Sequence, residues 1–134
     1  MEAMTQVADP RKRVERLNSD DFPELGYCVS ATIKRIFNKR ALEDADALES
    51  AMKKVASETE MTIVNSTKHQ FKPHGASCVL LLSESHFACH TWPEHSMATL
   101  TVYTCTGPGQ ALAAVSAFMR EMQTNIVKMV EFKH

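Results

Sequence analysis

Residues 75–103 read GASCVLLLSESHFACHTWPEHSMATLTVY. Gly75 precedes an apolar run, Cys78–Leu82, which continues through Phe87 and Cys89. Trp92-Pro93-Glu94 reads as a turn, because proline has no N–H to give a sheet ladder. Met97 to Tyr103 then alternates apolar and polar residues, the pattern of a strand with one face on a core. Connections this short favour antiparallel neighbours, since parallel strands need a crossover of about a dozen residues or more.

The flanking sequence extends the pattern. Tyr27 to Phe37 is rich in Val, Ile, Thr and Phe and predicts a strand. Ala41 to Glu58 predicts a helix, with Leu48, Met52 and Val55 at helical spacing and charges opposite. Met61–Val64 and Phe71 suggest strand, interrupted by the polar stretch Asn65–Gln70. Gly107-Pro108-Gly109 opens a second helix that carries Leu112, Val115, Phe118, Met119 and Met122 on one face. Ile126, Val127, Met129, Val130 and Phe132 form a last strand. The expected fold is α+β: a two-layer sandwich of a mainly antiparallel sheet with two helices on one face. Such a sheet leaves its other face open, which favours pairing of two copies. Residues 1–24, with Arg11-Lys12-Arg13, Arg16 and Asp20-Asp21, predict a polar arm with room for a short helix at Lys12–Leu17. Residues 25–134 are expected to form one domain.

Composition sets the class. The 134 residues include 15 basic and 16 acidic side chains, a net charge of −1, and 44% hydrophobic residues. That length fits one domain by the prior of about 150 residues each. Near neutrality argues against nucleic acid bound through bulk charge, and no apolar run reaches the roughly 18 residues needed to cross a bilayer. No apolar segment follows the N-terminal charges, so no secretory leader is expected. Cys28, Cys78, Cys89 and Cys105 are irregularly spaced and predict reduced thiols in a cytoplasmic protein.

Reactive side chains concentrate between Ser83 and His95, which holds His86, Cys89, His90, His95 and the single tryptophan, Trp92. A strand and turn with hydrogen-bonded histidines is one reading. A metal site drawing on His86, Cys89, His90 or His95 with Cys105 is another, but the spacing matches only half of a paired-ligand pattern, so no metal is expected. A third reading comes from the motifs themselves. Glu84-Ser85-His86, then His90-Thr91-Trp92-Pro93-Glu94, then Tyr103-Thr104-Cys105 resemble the bacterial and archaeal S-adenosylmethionine decarboxylase proenzymes. The resemblance reaches back through Thr62-Ile63-Val64-Asn65-Ser66-Thr67, Phe71-Lys72-Pro73 and Gly75-Ala76-Ser77.

The resemblance implies a specific chemistry. Decarboxylation leaves a carbanion that no natural side chain delocalises, so an electron sink is required. The implied sink is a pyruvoyl group made from Ser85 by self-cleavage between Glu84 and Ser85, which would hold the substrate amine as a Schiff base. By the same resemblance His90 is the processing base, Ser77 assists processing, and Cys105 returns a proton to the substrate carbon. Phe71 is implied to stack on the adenine and Glu94 to bind ribose hydroxyls. Cys78 and Cys89 are read as structural. Strict strand alternation puts Ser85 and His90 on opposite faces, so a bend or bulge between them is expected.

Some positions depart from the family pattern. Thr101 stands where an acidic residue is usual, Thr106 for a glycine, Cys28 for a histidine and Thr32 for a carboxylate. Loss of carboxylates weakens selection for a sulfonium cation, so arginine or ornithine stands as an alternative substrate beside S-adenosylmethionine. An unprocessed, non-catalytic regulatory homologue and a small metal-binding module are the other readings. The implied partners are a small-molecule substrate in spermidine synthesis and a second copy of the chain, with sites near the homodimer interface; neither nucleic acid nor membrane is expected.

Overall fold

The computed structural model describes residues 23–134, so the predicted arm and its short helix lie almost entirely outside the described residues. Ten elements follow. They are β1 (Tyr27–Lys34), α1 (Lys39–Glu43), α2 (Ala45–Glu58), β2 (Ile63–Gln70), β3 (Ala76–Leu82), β4 (Ser85–Trp92), a 3-10 turn (Pro93–His95), β5 (Met97–Thr104), α3 (Pro108–Met122) and β6 (Ile126–Lys133). The strands form one sheet in the order β2-β3-β4-β5-β1-β6, and every neighbouring pair is antiparallel.

Alternation decides which face is covered. Val29, Ala31 and Ile33 of β1, Cys78, Leu80 and Leu82 of β3, Phe87 and Cys89 of β4, and Ala98, Leu100 and Val102 of β5 are buried. Against them α2 packs Leu48, Met52 and Val55, and α3 packs Ala114, Val115, Phe118 and Met122. The Phe87 and Phe118 rings meet edge to face at 5.6 Å, joining sheet to helix at the centre of this layer. The opposite face carries no helix. It exposes Leu81, Val130 and Phe132 around a centre of small, uncharged residues.

Three local expectations need correction. The helix expected over 41–58 is two helices, because Asp44 leaves helical geometry and caps α2, its carboxylate accepting from the Asp46 N–H at 3.1 Å. The polar stretch Asn65–Gln70 does not interrupt a strand; it is the body of β2. An edge strand exposed to water need not alternate, and here its polar side chains bind α2. Lys68 pairs with Asp46 at 2.8 Å and Glu49 at 2.7 Å, and Ser66 donates to Glu49 at 2.5 Å. Those donors hold the Glu49 carboxyl below its ordinary range. Finally, no bend separates Ser85 from His90: β4 pairs with β3 and β5 along its length without a register shift.

Thr91 locks this layer to the rest of the molecule. Its buried hydroxyl accepts from the Ala76 N–H at 2.8 Å and donates to the Leu42 carbonyl at 2.7 Å, joining β4, β3 and α1. Thr91→Val keeps the shape but strands both backbone groups, and should lower unfolding stability by about 1–3 kcal/mol. Urea unfolding checks this, and a variant within experimental error of the parent would remove Thr91 from that role.

Candidate active site

Two clusters carry the residues singled out from the sequence, one at each end of β4. At the far end, Phe71, Ser77, His90 and Glu94 line one hollow of about 290 Å³, together with His74, Gly75, Thr91, Trp92 and Pro93. Ser77 and His90 are directly paired across β3 and β4, and Ser77 Oγ lies 2.6 Å from His90 Nδ1. That contact fixes the imidazole plane and leaves Nε2 for a reactant.

Backbone bonds shape this hollow. The Phe71 N–H donates to the Gly75 carbonyl at 2.8 Å, closing a tight loop at the end of β2. Gln70 clamps the loop: its side-chain amide donates to the carbonyls of Glu43 and Gly75 at 2.8 and 2.9 Å, and its oxygen accepts from the Ala45 N–H at 2.7 Å. Gly75 has φ +106, a left-handed conformation open to glycine and strained for other residues. Phe71 is thus 47% exposed beside the hollow and not a core residue.

The near end begins with a two-residue turn, Ser83-Glu84, between β3 and β4. Glu84 has φ +68, a conformation that costs a side-chain-bearing residue about 1 kcal/mol or more. Ser85 follows as the first, half-buried residue of β4. Cys105, just past the end of β5, donates its thiol hydrogen to the Glu84 carbonyl oxygen at 2.7 Å. A donor therefore sits on the carbonyl that precedes Ser85. On the open face beside this turn, His86 stacks on Tyr103 at 5.6 Å, and Tyr103 meets His134 edge-on at 5.0 Å. Gly26 makes room for that tyrosine, since a Cβ there would lie 2.4 Å from the Tyr103 hydroxyl.

Five residue steps of regular strand separate the clusters, about 16 Å from Ser85 to His90 along β4. The structure brings Phe71, Ser77, His90 and Glu94 together and brings Glu84, Ser85 and Cys105 together, but does not bring the two sets together within one chain. Trp92 and His74 were missed as wall residues. Counting by twos from His90 puts Trp92 on the same open face, a signal the turn-like Trp92-Pro93-Glu94 masks. The departing residues Cys28, Thr32 and Thr101 also share the parity of that face, Cys28 opposite Tyr103 and Thr32 opposite Thr99. Among the described residues, no three His, Cys, Asp or Glu side chains group to hold a metal ion.

The four thiols are unlike one another. Cys28, Cys78 and Cys89 are buried and Cys105 is exposed. Burial pushes the thiols of Cys28, Cys78 and Cys89 up, disfavouring their nucleophilic thiolates. A native preparation should therefore show one fast thiol towards an aromatic disulfide reagent and four in denaturant. A second fast thiol, or a fast thiol that persists in Cys105→Ala, would contradict this assignment.

Comparison with known proteins gives concordant results. The sequence model of S-adenosylmethionine decarboxylase matches residues 28–134. The chain is 36% identical over 100 residues to an S-adenosylmethionine decarboxylase proenzyme of Thermosipho melanesiensis, covering 72% of this chain and 77% of that one. It is 47% identical over 62 residues to the proenzyme of Aquifex aeolicus, covering 46% of each. The crystal structure of the adenosylmethionine decarboxylase from Aquifex aeolicus superposes with a TM-score of 0.77 at 26% identity, covering 84% of this chain and 92% of that one.

Proposed function

The chain belongs to the S-adenosylmethionine decarboxylase family, and we propose that it cleaves itself between Glu84 and Ser85 and then converts S-adenosylmethionine to decarboxylated S-adenosylmethionine and CO₂ for spermidine synthesis. The observation that carries this reading is the 2.7 Å contact from the Cys105 thiol to the Glu84 carbonyl, immediately before Ser85.

The processing chemistry follows from these groups. Ser85 Oγ bonds to the Glu84 carbonyl carbon, and the carbon–nitrogen bond breaks as nitrogen takes a proton, turning the amide into an ester. The Cys105 thiol faces the oxygen on which negative charge develops, and a hydrogen bond placed there lowers the barrier. Strain at Glu84 favours leaving the amide. A base then removes the Ser85 α-hydrogen, the Cβ–O bond breaks, and Glu84 departs as a carboxylate. The unsaturated residue 85 takes up water and loses ammonia to become a ketone. That ketone supplies the electron sink for decarboxylation. The departing carboxylate is replaced on the substrate carbon by a proton from Cys105. The aromatic face of Phe71 and the Glu94 carboxylate are suited to an adenine and to ribose hydroxyls.

His90 is the base in this scheme, and the intramolecular distance favours the His90 of a second chain. At about 16 Å along β4, the imidazole of the same chain cannot reach the Ser85 α-hydrogen. The active species is therefore a homodimer in which the open faces meet and the Ser77–His90 end of one chain serves the Ser85–Cys105 end of the other. The character of that face supports this. Ser30, Thr32, Thr99 and Thr101 carry no charge, so covering them desolvates no ion, and Leu81, Val130 and Phe132 offer apolar area at the margins.

Complementation tests the arrangement. Ser85→Ala and His90→Ala chains should each remain whole when produced alone. Produced together at equal levels, about half of the His90→Ala chains, the share in mixed dimers, should be cleaved because the partner supplies His90. Mixed dimers in which both chains stay whole would refute the shared site. The processed parent should release CO₂ from carboxyl-labelled S-adenosylmethionine; release from arginine or ornithine alone would refute the substrate.

A further inference from the structure

The bond that breaks in processing is held by the side chain that later acts on substrate. We propose that self-cleavage also prepares the proton donor: Glu84, left as a carboxylate, holds the Cys105 thiol in its protonated form. The inference rests on the processing reading above and extends it to a residue, Glu84, for which that reading has no further use.

Cleavage changes the charge beside Cys105 at fixed geometry. Before cleavage the Cys105 thiol donates to a neutral amide oxygen at 2.7 Å. That oxygen carries only the partial charge of a peptide carbonyl. After the Cβ–O bond of the ester breaks, the electron pair stays on the Glu84 oxygen and the same position bears a carboxylate. A thiol donating to a carboxylate is stabilised, and a thiolate beside one is repelled, so the proton is retained. Residue 85, now a ketone without an amino nitrogen, adds no compensating positive charge. A donor that must wait for a carbanion needs this property, because a thiolate has no proton to give.

The surroundings leave Glu84 as the variable group. Glu24 lines the same hollow as Cys105, together with Leu25, Gly26, Thr106 and Gly107, and Glu24 lies 4.0 Å from Lys133. His86 and Tyr103, from β4 and β5, and His134, past the end of β6, stand at this end of the sheet. None of these is made or lost on cleavage. Glu84 therefore acts as a positioning residue through Cys105, and its effect strengthens with processing alone.

The test compares Cys105 in cleaved and uncleaved protein. Iodoacetamide alkylation of Cys105 is followed by peptide mass spectrometry across pH, in the processed parent and in Ser85→Ala, with Ser85→Gly as a second uncleaved reference should the first fold poorly. The midpoint of reactivity should lie about one pH unit higher in the processed protein. The displacement should persist when Glu24→Gln is introduced into both forms. Coincident midpoints, or a lower one after processing, overturn the inference while leaving processing intact. A parent chain that stays whole overturns both.

Discussion

Strand β4 is paired on both sides through its centre, and the rest of the site depends on that regularity. Ser85 to His90 hold register with β3, and His86 to Trp92 with β5, without a bulge. A strand so held has no freedom to turn a side chain to the other face or to shorten its rise. Phe87, Cys89 and Thr91 are committed to the core, so His86, His90 and Trp92 are committed to the open face. The separation of the Ser85 end from the His90 end is thus a consequence of burying Phe87 and Cys89. The proposed division of labour between two chains keeps both the core and the chemistry.

The two ends differ in physical character as their proposed tasks differ. The His90 end is a concave hollow with aromatic walls, fixed by Gln70, by the left-handed Gly75 and by the buried Thr91 hydroxyl. It is suited to receive a flat, polar-edged molecule. The Ser85 end is a strained turn with a thiol on the carbonyl, a place where a backbone bond is presented for reaction. Mechanical rigidity in the first and stored strain in the second come from the same sheet, one at each end of one strand.

Much of this was legible in the sequence, for reasons that can be named. The antiparallel α+β fold followed from short connections and from two helices with clear apolar faces. The residues of both clusters followed from their motifs. Asn65–Gln70 was misread because an edge strand facing water carries no alternation, and its salt links to Asp46 and Glu49 depend on a helix distant in sequence. The break at Asp44 was hidden because a capping aspartate looks like any helix-surface charge. A bend between Ser85 and His90 was expected because strict alternation puts them on opposite faces. That placement was correct. The Cys105–Glu84 contact joins two loops 21 residues apart and had no sequence signature.

The central claim is that the peptide bond held by Cys105 is the one the protein breaks. Intact-mass measurement of the purified chain under denaturing conditions tests it most directly. Two fragments meeting between Glu84 and Ser85 are expected, the second blocked to stepwise N-terminal degradation because residue 85 is a ketone. A single chain of full mass, unchanged on prolonged incubation, would contradict it.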